Sequence, residues 1–252
     1  MTPVKTILLI VAIIFIWVLT PPVGCIKSSN VAAVMSVPAD NRGSLILPEN
    51  DSGWSYLALG DSYTIGESVE VSDRYPVQAV QLLRSLDHLN CKAPDIIATT
   101  CWTTGNLLNA LTAANLPHTY NIVTLLIGVN NQFQGGSQSD YRDQFTALLQ
   151  QSIVLAGNQP SHVLVLSIPD YSVTPFGRGR NTGLIASQID SFNMINYLAS
   201  MNYKVNYLDV TAESRKAAND PSLVANDGLH FSGKEYGIWA HLMESGMRGI
   251  LK

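Results

Sequence analysis

The chain has 252 residues, of which 46% are hydrophobic and 13% are charged. Its net charge of −4 argues against nucleic acid as the main partner, because phosphate binding needs a basic face. The three cysteines form neither a CxxC motif nor a His/Cys cluster, so we expect no bound metal and no other cofactor. Once an N-terminal segment is set aside, roughly 200 residues remain, which suits one domain with a substantial core.

The N-terminus is typical of an exported protein. Lys5 precedes an unbroken apolar run over residues 7–19, which is shorter than the roughly 20 residues of a membrane span and fits a signal peptide. The Gly24-Cys25 pair that follows resembles a bacterial lipobox, although Pro22 stands where leucine is usual. We interpret residues 1–25 as a signal peptide with a lipobox-like cysteine, so that Cys25 would become the lipidated first residue of the mature protein. Plain secretion and an uncleaved membrane anchor are the alternatives, and all three place the domain outside the cytoplasm, in the periplasm, at the cell surface or secreted.

The next segment, residues 26–52, is rich in Ser, Asn, Pro, Asp and Gly. We interpret it as a tether between the membrane and a folded domain that covers residues 53–252. If Cys25 carries lipid, Cys91 and Cys101 remain as a pair. They would form a disulfide in an oxidising compartment, and two buried free thiols are the alternative.

Within the domain, short apolar runs alternate with amphipathic stretches. Strands are predicted at 56–59, 95–98, 122–127, 162–168 and 205–210, and their lack of clean alternation indicates burial on both faces. Helices are predicted from about Pro76, over 104–114, 139–156 and 183–201, and after Ser232. This alternation predicts an α/β fold with a parallel, doubly wound sheet.

The last helix has the sharpest start signal. Ser232 and Glu235 form a capping box in the sequence, with Ser232 at the N-cap and Glu235 three residues later. His230 therefore falls on the loop before the helix, where its ring can point into a cleft at the edge of the sheet. The predicted buried face of this helix consists of Tyr236, Trp239, Ala240, Met243 and Met247.

Gly60-Asp61-Ser62 follows the first predicted strand, where an open α/β sheet would present a nucleophile. A serine hydroxyl needs a base to take its proton, and a neutral imidazole such as that of His230 is the usual one. Asp227 lies three residues before His230, a spacing that can return its carboxylate to Nδ1 of the ring. The inert alternatives are a serine that caps a helix and a histidine that is merely structural.

An acyl-transfer site also needs donors for the oxyanion of the tetrahedral intermediate. Three candidates follow predicted strands: the backbone N–H of Ser62, the backbone N–H of Gly105, and the side-chain amide of Asn130. A glycine at position 105 would allow close backbone approach. The alternatives are a simple turn glycine and an asparagine that only closes a turn.

These segments, in order, resemble the four blocks of the SGNH (GDSL) hydrolase superfamily: Gly60-Asp61-Ser62-Tyr63, Gly105, Gly128-Val129-Asn130 and Asp227-x-x-His230. The resemblance implies a flavodoxin-like, three-layer α/β/α sandwich with about five parallel strands, and an esterase or lipase that works through an acyl-enzyme. It also implies that Ser62 is the nucleophile, His230 the base and Asp227 its orienting partner. The implied oxyanion hole consists of Ser62, Gly105 and Asn130. Asn131 departs from the family pattern, which often has aspartate there.

The substrate is less defined than the chemistry. Acyl or acetyl esters of lipids or carbohydrates fit an extracytoplasmic enzyme, and a sugar hydroxyl as acceptor would make it an O-acyltransferase acting on surface glycans. A non-catalytic lipoprotein that binds glycan or lipid is the alternative from another class. Residues 170–183 follow the fourth strand and are expected to line the cleft, with Arg178 and Arg180 interpreted as a solvated pair rather than an anion site.

Overall fold

In a computed structural model, the described residues are 35–36, 53–114, 116 and 119–252. The predicted signal peptide, its lipobox cysteine and most of the predicted tether lie outside them. In this described part of the chain, no helix combines the length and the hydropathy that a membrane crossing requires.

The described part contains one six-stranded sheet with the order β1-β3-β2-β4-β5-β6. Neighbours from β3 to β6 are parallel, and β1 pairs antiparallel with β3 at the edge. The parallel sheet of five strands is confirmed, and the two-residue β1 lies within the segment interpreted as tether. The strands are β1 (Met35–Ser36), β2 (Tyr56–Gly60), β3 (Asp95–Ala98), β4 (Ile122–Leu126), β5 (Val163–Leu166) and β6 (Asn206–Leu208).

The central strands are buried on both faces, which explains why their sequences do not alternate. Every residue of β2 and of β4 is buried, as expected for a sheet covered by helices on each side. The edge strand β6 is partly exposed and shorter than the predicted 205–210.

The predicted long helices all form. The α-helices are α1 (Ser62–Ile65), α2 (Tyr75–Ser85), α3 (Thr104–Ala114), α4 (Val129–Phe133), α5 (Gln138–Leu155), α6 (Pro175–Arg178), α7 (Thr182–Tyr203), α8 (Thr211–Ser214) and α9 (Gly233–Leu251). Single 3-10 turns cover Val71–Asp73, Pro160–His162, Tyr171–Val173, Arg215–Ala218 and Pro221–Leu223. The four-residue and five-residue helices were not predicted, because one turn is too short to show a periodic pattern.

Helices cover the sheet in two groups and so complete the predicted three-layer sandwich. One group is α2 packed on α9, and the other is α3, α5 and α7, with α5 in the middle. The expected apolar face of α9 is fully buried, at residues Tyr236, Trp239, Ala240, Met243 and Met247.

The capping box of α9 forms only in part. Ser232 Oγ accepts the backbone N–H of Glu235 at 3.4 Å, as predicted. The predicted return bond from the Ser232 N–H to the Glu235 side chain does not form. The Glu235 side chain is buried and accepts the indole N–H of Trp239 at 2.7 Å instead. Burial also raises the pKa of Glu235 to about 7, and the Ser232 N–H donates to the Leu223 carbonyl.

The cysteines match neither alternative as stated. Cys91 is a buried free thiol, and burial raises its pKa to about 11. Cys101 takes part in a disulfide, so the Cys91–Cys101 pairing is wrong, and so is the picture of two free thiols.

Candidate active site

The predicted site residues follow the strands at which the strand order of the sheet reverses. The chain runs from β2 outward to β3, and then returns to add β4 on the other side of β2. The carboxyl ends of β2 and β4 therefore flank a crevice, which is where open α/β sheets bind ligands. Ser62 follows β2 directly, and Asn130 follows β4 after a single turn.

Ser62 stands at the start of α1, on a tight turn that packs closely against β4. A Cβ atom on Gly60 would come within 2.4 Å of the Leu126 carbonyl oxygen, so only glycine fits there. The short helix ends at Gly66, which has a φ of 63°, a conformation that glycine adopts at little cost. Ser62 is 5% exposed at the surface of this turn.

Asp61, the residue before the nucleophile candidate, links the turn after β2 to the turn after β4. Its fully buried carboxylate accepts the N–H groups of Tyr63 and Gly128, and one of its oxygens has no hydrogen-bond partner among the described residues. Burial raises the pKa of Asp61 to about 7, against the opposing effect of the two N–H donors. The sequence placed Asp61 in a motif, but its role as a link between two turns came only from the tertiary contacts.

Asp227 and His230 form the pair that their spacing predicted. Asp227 Oδ2 lies 2.6 Å from His230 Nδ1, and Asp227 Oδ1 accepts the N–H groups of Leu229 and His230. Partial burial raises the pKa of Asp227, but hydrogen bonds from His230, Leu229 and Ser68 outweigh it and lower the pKa to about 2. Gly228, with a φ of 73°, eases the turn between them.

Two contacts bring this pair to the turn that carries Ser62. The ring of Tyr63, next to Ser62, packs edge-on against the His230 ring with centroids 5.7 Å apart. Ser68, just after the same turn, donates to Asp227 Oδ2 at 2.7 Å. In the described part of the chain, Ser62 Oγ makes no hydrogen bond to His230. Such bonds are often long without substrate and tighten when it binds.

Asn130 and its neighbour have different partners, which separates two residues that the sequence alone could not distinguish. The Asn130 side-chain amide donates to the Trp102 carbonyl at 3.1 Å and so faces the loop after β3. The Asn131 amide is committed to Thr104: its oxygen accepts the Thr104 N–H at 3.0 Å, and its nitrogen donates to the Thr104 hydroxyl at 2.8 Å. An aspartate at position 131 could not donate that second bond.

Gly105 is positioned through the same contacts. It lies in the first turn of α3, where backbone N–H groups have no acceptor within the helix, and Asn131 holds the preceding residue. The expected close backbone approach is not seen: a Cβ on Gly105 would have Gln144 as its nearest neighbour, at 3.4 Å, and φ is not positive. Packing therefore does not require glycine at this position.

A cavity of about 260 Å³ lies beside Gly105. Its lining is mostly polar: Thr103, Asn131, Gln134, Ser137, Asp140, Tyr141 and Gln144 join two glycines. No group of three His, Cys, Asp or Glu side chains within the described residues is arranged to hold a metal ion. Ser62, Asp227 and His230 do not line this cavity. Together with the nearby Asn130 amide, they supply the hydroxyl, carboxylate and imidazole groups that an acyl-transfer site needs.

Comparisons with known proteins agree with this arrangement. The model of the GDSL-like lipase/acylhydrolase family matches residues 58–238. No curated protein matches the chain significantly.

Among solved structures, the esterase EstA from Pseudoalteromonas sp. is 16% identical, with a TM-score of 0.60, and the match covers 78% of this chain and 98% of that one. An acetylxylan esterase from Geobacillus stearothermophilus is 14% identical with a TM-score of 0.62, covering 78% and 94%. TesA is 14% identical with a TM-score of 0.61, covering 78% and 99%.

Proposed function

Because the chain belongs to the GDSL-like lipase/acylhydrolase family, and is therefore a serine esterase that hydrolyses carboxylic esters, we propose that Ser62 is its nucleophile and His230 its base. The observation that carries this assignment is the 2.6 Å contact between Asp227 and His230 Nδ1. It fixes the proton on Nδ1 and leaves Nε2 as the nitrogen that can accept the Ser62 proton.

The reaction proceeds in two steps through a serine ester. His230 takes the Ser62 proton as the hydroxyl oxygen attacks the substrate carbonyl, and then returns it to the leaving alcohol, which gives an acyl-enzyme. Water, deprotonated by the same imidazole, releases the acid and restores Ser62. Asp227 keeps the ring oriented and stabilises the imidazolium that forms in each step.

We propose that three groups donate hydrogen bonds to the oxyanion: the N–H of Ser62, the N–H of Gly105 and the side chain of Asn130. These groups come from the starts of α1 and α3 and from α4. Asn131 supports the assignment indirectly, because it anchors Thr104 and so fixes the start of α3.

Acetyl or other short acyl esters of carbohydrates are the substrates that we propose. The cavity next to Gly105, which none of Ser62, Asp227 and His230 lines, offers amide, hydroxyl and carboxylate groups that could hydrogen-bond a sugar. One structural neighbour is an acetylxylan esterase, although that likeness alone shows only the fold. Lipid esters remain the alternative substrates, and transfer to a glycan hydroxyl the alternative reaction.

We also propose an extracytoplasmic location with the N-terminus as the point of membrane attachment. The apolar run over residues 7–19 and the lipobox-like Gly24-Cys25 pair support this proposal. The intact mass of the mature N-terminal peptide distinguishes lipidation of Cys25, plain secretion after cleavage and an uncleaved anchor.

The catalytic assignment is tested with p-nitrophenyl esters of increasing acyl length. Ser62→Ala is expected to abolish turnover and labelling by a fluorophosphonate probe, whereas Ser139→Ala, an exposed serine on α5, should retain both. Asn130→Ala is expected to lower kcat by about 10²–10³. Undiminished turnover by Ser62→Ala would remove this residue from the mechanism, and a loss below about threefold in Asn130→Ala would remove that side chain from the oxyanion hole.

A further inference from the structure

The two arginines of the loop after β5 have different environments, although they were interpreted as one solvated pair. Arg178 donates to the Ala218 carbonyl at 2.8 Å and holds two loops together. The Arg180 guanidinium instead lies over two aromatic rings, 5.1 Å from the centroid of Phe133 and 4.6 Å from that of Phe176.

Both rings belong to elements that carry proposed catalytic groups. Phe133 ends α4, about 4.5 Å along the helix axis from Asn130. The Phe176 N–H donates to the Gly228 carbonyl at 2.9 Å, within the turn that joins Asp227 to His230. The centroids of the two rings lie 6.0 Å apart. Arg180 therefore lies between the end of α4, which carries Asn130, and the turn that carries Asp227 and His230.

Among the described residues, the Arg180 guanidinium has the two rings as its neighbours and makes no side-chain hydrogen bond to the protein. A guanidinium in contact with aromatic rings can still donate hydrogen bonds from N–H groups that do not face them. Arg180 is exposed, and among the described residues no carboxylate lies within ion-pair distance of it. Arg215, by contrast, forms ion pairs with Asp170 and Asp190.

We propose that Arg180 binds an anionic oxygen group, a carboxylate or a phosphate, in the alcohol or acyl part of the ester substrate. A guanidinium edge matches such groups with two parallel hydrogen bonds. The rings restrict the side chain, so that less conformational entropy is lost on binding. The chain as a whole has a net charge of −4, which does not attract an anionic ester. A local cation such as Arg180 is therefore needed for a preference for anionic esters. The inference rests on the proposed esterase activity of the same cleft.

The test compares neutral and anionic esters of matched shape. For the acyl side the pair is p-nitrophenyl butyrate and p-nitrophenyl hemisuccinate. For the alcohol side it is methyl p-acetoxybenzoate and p-acetoxybenzoate, with p-acetoxyphenyl phosphate added to distinguish phosphate from carboxylate. The measured quantity is the ratio of kcat/KM for the anionic ester to kcat/KM for the neutral one, at low and at high ionic strength.

In Arg180→Gln we expect this ratio to fall about fivefold to tenfold for at least one pair, since the interaction is charge-assisted but partly screened by solvent. Turnover of the neutral ester should change by less than about twofold. Arg180→Lys keeps the charge without the planar edge and should recover only part of the ratio. Arg142→Gln, an exposed arginine on α5, is the charge-matched control and should leave the ratio unchanged.

Two outcomes separate this inference from the esterase proposal. If wild-type enzyme hydrolyses the neutral esters but Arg180→Gln leaves every ratio within twofold of wild type, the anion-binding role is refuted and the esterase assignment stands. If wild-type enzyme hydrolyses neither the neutral nor the anionic esters, the esterase assignment fails, and the anion-binding role that rests on it fails with it. In wild type the ratio should also fall with added salt, and a ratio insensitive to salt would contradict an ionic contact.

Discussion

Replacing Asp227 with asparagine changes two hydrogen bonds in kind while preserving the shape of the side chain. The carboxylate accepts four bonds: His230 Nδ1 at 2.6 Å, Ser68 Oγ at 2.7 Å, and two backbone N–H groups, of Leu229 at 2.9 Å and of His230 at 3.0 Å. With the asparagine oxygen on the two backbone groups, its NH₂ takes the place of Oδ2, so it faces Ser68 Oγ, which becomes an acceptor, and His230 Nδ1. That nitrogen must then accept, so the proton moves to Nε2 and the ring cannot act as a base toward Ser62.

The expected loss in kcat is about 10³–10⁴, the size found when the base is held in the wrong tautomer. The stability cost is smaller. The pKa of Asp227 is lowered from 3.8 to about 2, which would correspond to about 2.5 kcal/mol without solvent. Since 32% of the side chain is exposed, we expect about 1 kcal/mol. A carboxylate with a lowered pKa stabilises the fold above its unfolded pKa, and this contribution is lost as pH falls toward 2.

The assay is steady-state hydrolysis of p-nitrophenyl acetate, with urea unfolding to separate activity from folding. Ser68→Gly is the matched control: it removes one bond to the same carboxylate, and glycine tolerates the φ of 66° at this position. It should cost about twofold to fivefold in kcat, because the contact is exposed and leaves the tautomer unchanged. If a folded Asp227→Asn variant retained more than a tenth of the wild-type kcat, the tautomer argument would be wrong.

Two further predictions concern stability, each measured by urea unfolding. Gly128→Ala places a Cβ 2.4 Å from the Tyr141 hydroxyl at a φ of 134° and should cost about 2–4 kcal/mol, whereas Gly246→Ala, which has open space, should not destabilise; equal stabilities would contradict the steric argument. Burial raises the pKa of Asp61 to about 7 in the folded protein, so the folded state keeps the proton up to a higher pH than the unfolded chain does. The free energy of unfolding of the wild type should therefore fall by about 2–3 kcal/mol from about pH 5 to about pH 8, compared with that of Asp61→Asn. Parallel pH profiles for the two proteins would show that Asp61 is not protonated in the fold.

The main elements of the fold were predictable because burial leaves a local pattern. Strands β2 and β4 are apolar throughout since helices cover both of their faces, and α9 shows its cap and its apolar face in consecutive residues. The reciprocal half of its capping box failed for a tertiary reason: the Glu235 carboxylate meets Trp239 in the core, and the local pattern contains no information about that contact.

The candidate site divides in the same way. Asp227 and His230 are three residues apart, so their contact is a property of one turn and could be predicted from spacing. The different contacts of Asn130 and Asn131 could not be predicted from spacing, because they depend on Trp102 in the loop after β3 and on Thr104 at the start of α3. The Ser68 contact to Asp227 spans 159 residues and has no sequence signal.

Arg180 is the clearest case of a role that depends on tertiary structure. In the sequence it is one of two arginines in a polar loop, and nothing distinguishes it from Arg178. Their difference arises because the end of α4 and the segment before α7 fold against each other and place two rings beneath one guanidinium. The local sequence was therefore enough to predict the turn that contains Ser62 and the turn that contains Asp227 and His230, since each is built from neighbouring residues. Long-range packing decided what surrounds them, because those contacts join residues that are far apart in the chain.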